Sequence, residues 1–342
     1  GKVLDYVTAW YLKASKYIQN TKIKVAFVST NSISQGEQVG ILWSKLLSKY
    51  KIKIHFAHQT FNWSNEAKSN AAVHVIIVGF ANFDTDNKKL FEYENIKAEA
   101  HERNVKNINP YLVEADDIVI TNRSKPLCNV SAMKYGSKPT DGGFFLLSDE
   151  EKNELISKNK NAEQFIKPFL SGREFLRNIN RWVIWLVDAN PSELKKSPEI
   201  LKRIEQVKKF RLSSTAKSTR DYPYHSLFRQ ITQPDNDYVL IPRTTSENRV
   251  YIPMGFFSKD IIIGDTCQAI PNGDLFLFGQ LTSLMHMAWV KYTCGRLKSD
   301  YRYSKDLVYN NYPFPKNVNE KQKLAVEEKA QNVLDIRASF ND

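Results

Sequence analysis

The chain is poor in cysteine, and the cysteines it has show no pairing pattern. Cys128, Cys267 and Cys294 are its only three in 342 residues. An odd, scattered set excludes a disulfide framework and fits a reducing cytoplasm. The six histidines show no close spacing with those cysteines, so no metal site is expected. No apolar run reaches the ~20 residues of a membrane span, and no signal peptide precedes the first helix. Phosphate-loop, Gly-x-Ser-x-Gly and His-Glu-x-x-His motifs are missing. So are internal repeats and low-complexity segments. Gly1 leads straight into an amphipathic segment, with no initiator Met and no cofactor loop before the first strand. The sequence therefore reads as a piece of a longer polypeptide.

What is present is ordinary globular protein with a basic excess. Hydrophobic residues make up 42% and charged residues 25%, the balance of a soluble chain. The length suffices for two domains, each with its own core. Lys and Arg number 49 against 37 Asp and Glu, a net charge of +12. That excess suggests a polyanionic partner, since phosphate neutralisation releases counterions. A Lys-rich proteome would give the same balance, so charge alone does not decide.

Periodicity divides the chain. Leu4, Val7, Tyr11, Ala14 and Ile18 recur at helical spacing over residues 4–19. Val25-Ala26-Phe27-Val28 is a continuous apolar run, expected to be a strand covered on both faces. Ser34-Gln35-Gly36-Glu37 reads as a capping box opening a helix with Val39, Leu42, Trp43, Leu46 and Leu47. Lys51 to Phe56 alternates as a half-covered strand, His58 to Asn70 is expected to be a polar loop, and Ala72 to Phe80 another strand. This succession predicts an α/β domain. Regularity fades from Ala81 to about Asp149, where the boundary is placed. Beyond it, Ser148-Asp149-Glu150-Glu151 is a second capping box, and Arg181–Val187 a strand. A long basic helix is expected from Pro191 to about Arg211. Short strands follow at Tyr238–Pro242, Arg249–Pro253 and Asp260–Ile263, then a helix at Gly279–Cys294 and a charged terminal helix over 318–339. The second region is thus expected to be α+β.

Three segments carry candidate chemistry. Phe61 and Trp63 place two aromatics at a strand end, where an exposed ring can stack on an unpaired base; the alternative is that both fold back as core. Lys195 to Arg220 holds nine Lys and Arg against two Glu. Within it Lys208, Lys209, Arg211, Lys217 and Arg220 are candidates for phosphate contact, and a plain solvated helix face is the alternative. Arg243, Glu247, Asn248 and Arg249 sit between two expected strands, with side chains suited to base edges. On a strand Glu247 and Arg249 would share a face and could read one C·G pair. Asp188 and Glu193 are too close in sequence for a nuclease carboxylate set, and Pro191-Ser192-Glu193 reads better as a helix start.

Several long blocks carry a family resemblance. They are Leu4-Asp5-Tyr6-Val7-Thr8-Ala9-Trp10-Tyr11, Ala26 to Val39, and Phe56 to Ala67. Downstream lie Phe165 to Phe175, Tyr251 to Phe256, Asp300 to Lys305 and Val308 to Pro313. Together they resemble the large single-chain type IIL restriction-modification enzymes, whose methylase part is a γ-class adenine-N6 DNA methyltransferase. The resemblance implies a partial, Rossmann-like methyltransferase sheet lacking its first strands over residues 1–107. It implies a target-recognition domain over 108–315 and a terminal helix over 316–342. It implies that S-adenosylmethionine serves the parent enzyme, and that Phe61 or Trp63 stacks on the flipped adenine. Glu247 and Arg249 fall where such domains place base-reading side chains. The family's Asn-Pro-Pro-aromatic motif is absent, since Asn109-Pro110-Tyr111 lacks the second proline. No catalytic residue and no bound cofactor are therefore expected here. Double-stranded DNA is the expected partner, and an exposed sheet edge would suit a homodimer. The alternative is a non-catalytic specificity subunit working with a separate methylase chain.

Overall fold

The structure is a computed structural model that describes residues 4–63, 73–297 and 299–340. Ser64 to Asn70 of the expected polar loop lie outside the described residues. The chain divides into two units. One comprises residues 1–128 with 288–313, the other 129–287 with 314–342.

The first unit opens with α1 (Val7–Tyr17), β1 (Val25–Thr30) and a 3-10 turn (Asn31–Ser34). Then come α2 (Glu37–Ser48), β2 (Lys53–Trp63), β3 (Val73–Ala81), β4 (Lys88–Glu92) and β5 (His101–Val105). The five strands form one mixed sheet in the order β1-β3-β2-β4-β5. β3 runs antiparallel to both β1 and β2, so those two are parallel to each other. β4 is parallel to β2, and β5 antiparallel to β4. α1, the Ile18 that follows it and α2 supply Tyr11, Ile18, Leu42, Trp43 and Leu46 to the core against Ile54, Ile76, Val78 and Phe80. Tyr11 stacks on Phe80 at 5.5 Å and shares a hydrogen bond with Ser29. The Trp43 indole donates to the Ile33 carbonyl at 2.8 Å, so the buried N–H is satisfied.

This unit differs from the sequence expectation in three places. β1 alternates, with Ala26, Val28 and Thr30 exposed, so the described residues cover one face of it and not both. Ser34 does not cap α2. It belongs to the preceding turn, where its hydroxyl donates to the Asn31 carbonyl, and Gly36 stands at the helix start. β2 continues through the expected loop to Trp63, pairing Phe61 with Val75 and Trp63 with Val73. The polarity that suggested a loop comes from residues with specific partners. Gln59 donates to the Leu112 carbonyl, Asn31 to the Thr60 hydroxyl, and the Asn62 N–H to the Ile96 carbonyl.

The second unit carries two four-stranded sheets. Its elements begin with β6 (Lys134–Tyr135), β7 (Leu146–Leu147), α3 (Asp149–Lys158), β8 (Ile166–Leu170), α4 (Gly172–Arg177) and β9 (Trp182–Ile184). α5 (Pro191–Leu194), α6 (Pro198–Leu212), α7 (Lys217–Arg220), β10 (Tyr238–Pro242) and β11 (Thr244–Thr245) follow. β12 (Gly255–Phe257), β13 (Ile262–Ile263), β14 (Cys267–Pro271) and α8 (Leu275–Leu281) come next. The sheets are ordered β12-β10-β14-β6 and β13-β8-β9-β7. The capping box at Ser148 forms as expected, with Ser148 and Glu151 bonded reciprocally. The expected long basic helix is split, because Pro198 disfavours a helical Ser197 and starts α6 afresh. The expected Gly279–Cys294 helix is also two, α8 and α9 (Leu284–Thr293). The expected strand at Arg249–Pro253 is absent; its place is taken by β12 at Gly255–Phe257. α10 (Glu320–Ala338) lies on α8, where Gly279 leaves room for Val326 and Ala330.

After α9 the hairpin β15 (Gly295–Leu297) and β16 (Asp300–Arg302) belongs to the first unit. It meets the loop after β1 glycine to glycine. Gly36 has φ 65° and ψ −155°, a region open in practice only to glycine. A methyl group there would sit 2.9 Å from the Gly295 Cα. Gly36→Ala is therefore expected to destabilise the protein by about 1–3 kcal/mol, read as a lower midpoint in urea unfolding.

Candidate nucleic-acid interface

α6 in the second unit is amphipathic, with Ile200 and Val207 buried and charges outside. Lys208 and Lys209 are exposed on it, and Lys217 and Arg220 are exposed on α7. Lys208 lies 3.8 Å from Glu205, and Arg220 lies 3.7 Å from Asp221 while donating to the Ser214 carbonyl. Exposed ion pairs of this kind are weak and yield to a stronger anion such as phosphate.

Arg211 differs from these neighbours. It is fully buried. Its guanidinium donates to four backbone carbonyls, those of Pro139, Thr140, Tyr224 and Leu227, at 2.7–2.9 Å. The donors expected to meet phosphate are used in closing two loops onto α6. Burial lowers its pKa, while Tyr222 and Asp141 act in the opposite sense. Arg211 and Arg229 both lie over the Tyr222 ring, at 5.3 and 4.9 Å. Asp141 accepts from the Gly143 and Phe145 N–H groups, fixing the adjoining turn. The expectation of a phosphate contact at Arg211 is thus replaced by a structural role.

The base-reading candidates follow β10. Arg243 is half-buried, with its guanidinium 4.8 Å over the Tyr135 ring and donating to the Asp265 carbonyl. Glu247 and Arg249 do not lie on a strand. Ser246 to Arg249 is a turn, in which the Arg249 N–H donates to the Ser246 carbonyl and the Asn248 N–H to the Ser246 hydroxyl. The shared strand face expected for Glu247 and Arg249 is therefore lost. The turn exposes Asn248 and Arg249 and leaves Glu247 half-buried.

In the first unit Phe61 and Trp63 lie on β2, not on a loop tip. Phe61 is half-buried and stacked on Tyr93, whereas Trp63 is 44% exposed. Their centroids are 6.4 Å apart. His58 and Phe91, stacked face to face at 4.0 Å, line an open cavity of about 500 Å³ with Lys24, Phe56 and Lys89. Among the described residues no group of three or more His, Cys, Asp or Glu is placed to hold a metal. Nor is any helix among them long and apolar enough to cross a membrane.

Residues 114–316 match the family model of the MmeI target recognition domain, and residues 1–92 match that of the MmeI DNA-methyltransferase domain. The chain belongs to the MmeI family. DNA methyltransferase A of Bacillus subtilis (strain 168) is 41% identical over 341 residues, which are 98% of this chain and 38% of that protein. A solved structure of the type IIL restriction-modification enzyme MmeI in complex with DNA superposes with a TM-score of 0.91 at 48% identity. That match covers 99% of this chain and 45% of the other. The chain therefore spans less than half the length of these relatives. The basic helices and the Ser246–Arg249 turn fall within the MmeI target-recognition match, and Phe61 and Trp63 within the methyltransferase match.

Sequence reading overlooked Tyr93 and His58, which join Phe61 in one ring cluster, and it misplaced Arg211. A signal for the latter was present: Arg211 follows Val207 by four positions, on the buried face of an amphipathic helix. Arg211→Met would leave four carbonyls without their donor, each worth about 1–3 kcal/mol. It is expected to lower stability by at least about 3 kcal/mol in urea unfolding. Lys209→Ala should change stability by no more than about 0.5 kcal/mol.

Proposed function

We propose that this chain is the sequence-recognising part of an adenine-N6 DNA methyltransferase within a bacterial restriction-modification system, acting in the cytoplasm. The second unit holds duplex DNA. Lys208, Lys209, Lys217 and Arg220 neutralise phosphates, while Arg243, Glu247, Asn248 and Arg249 meet base edges. In the first unit Phe61 or Trp63 stacks on the adenine turned out of the duplex. The observation that carries this reading is the exposure of unburied cations and of the Asn248–Arg249 turn within one domain of the MmeI target-recognition kind.

The parent enzyme would draw its methyl group from S-adenosylmethionine. The residues present do not fit that cofactor: the sequence holds no Gly-containing cofactor loop before the first strand and no Asn-Pro-Pro-aromatic tetrapeptide to accept the adenine amine. The transfer step is assigned to other segments of the parent. Among the described residues β1 pairs only with β3, and its other side is where a second copy would add in a homodimer.

Two sets of variants separate holding from reading. Lys208→Ala with Lys209→Ala should weaken binding to every duplex alike and reduce the slope of log affinity against log salt by about two. Exchanging the charges of Glu247 and Arg249 should leave that slope in place and change the base preference by roughly 1–3 kcal/mol for each base contact altered. Binding curves from fluorescence anisotropy across salt, with a randomised-duplex selection, measure both. An unaltered base profile after the charge exchange would remove the readout role.

A further inference from the structure

Beside the proposed base-stacking ring lies a small hydrogen-bonded aromatic cluster. Phe61 lies against Tyr93 with centroids 5.3 Å apart and planes 19° from parallel. The Tyr93 hydroxyl is 2.8 Å from His58 Nδ1. His58 in turn lies flat on Phe91, at 4.0 Å and 1°. The parallel pairing of β2 and β4 sets His58 opposite Phe91. Burial disfavours the charged imidazole and the ionised phenol alike. A neutral imidazole with Nδ1 unprotonated accepts the Tyr93 O–H, and that bond anchors the hydroxyl end of the ring that lies against Phe61.

We infer that Tyr93, held by His58, is a positioning residue that sets the plane of Phe61 before a base arrives. The inference rests on the reading above, that the first unit stacks an extrahelical adenine. Stacking needs two planes near parallel, and a ring fixed in advance forfeits less freedom on contact. Neither Tyr93 nor His58 touches the base in this scheme. Both act through Phe61.

The test compares affinities of the whole chain for a fully paired duplex and for the same duplex with one bulged adenine. The wild-type chain should prefer the bulge by about tenfold, the worth of one base–aromatic stack. Phe61→Ala should abolish that preference. Tyr93→Ala should reduce it about fivefold with affinity for the paired duplex unchanged. Tyr93→Phe, which keeps the ring and loses the bond to His58, should fall between. Loss of affinity for both duplexes in equal measure, or a wild-type preference in Tyr93→Ala, overturns the inference and leaves the stacking reading intact. No preference in the wild type overturns the stacking reading and the inference with it, whereas full preference in Phe61→Ala overturns the inference and assigns the stack to Trp63. If circular dichroism shows Tyr93→Ala unfolded, Tyr93→Phe decides, and an unchanged preference in it overturns the inference.

Discussion

The basic lobe of the second unit depends on one buried cation. Arg211 is fixed from below by four carbonyls of two loops. A buried guanidinium is costly unless its donors are matched, and here they are matched by backbone rather than by a carboxylate. The loops at Pro139–Thr140 and Tyr224–Leu227 are thereby tied to α6, the helix that displays Lys208 and Lys209. The buried charge also adds to the positive field of the face above it.

Much of the fold was legible because periodicity and capping agree. α1, the body of α2, the capping box at Ser148 and the terminal helix all appear where their spacing put them. The failures have separate causes. β2 was cut short because Gln59, Thr60 and Asn62 look like loop residues, while their partners come from Leu112, Asn31 and Ile96, far along the chain. β5 was missed because four of its five residues are exposed and charged or polar, leaving no apolar alternation to read. The split at Pro198 has a local signal, since a proline disfavours a helical residue before it. The return of residues 288–313 to the first unit has no local signal at all, since it is a matter of long-range packing.

The candidate sites follow the same division. Residue type marked the lysines, Phe61 and Trp63, and the segment after β10, and these are exposed or half-buried. Residue type could not separate Arg211 from Lys209, two positions away, because the distinction is which face of α6 each occupies. Nor could it foresee that Ser246–Arg249 turns instead of extending, which changes the neighbours of Arg249. Tyr93 joins Phe61 only through the pairing of β2 with β4, a contact between strands that are not consecutive in the sequence.

Under the proposed function, this chain itself selects a DNA sequence through the second unit. The most direct measurement is the ratio of its affinities, at physiological salt, for the duplex won from a randomised pool and for the same duplex scrambled. The account predicts a ratio of about 10³ or more. Equal affinity for the two, or an affinity that does not change with salt, would contradict it.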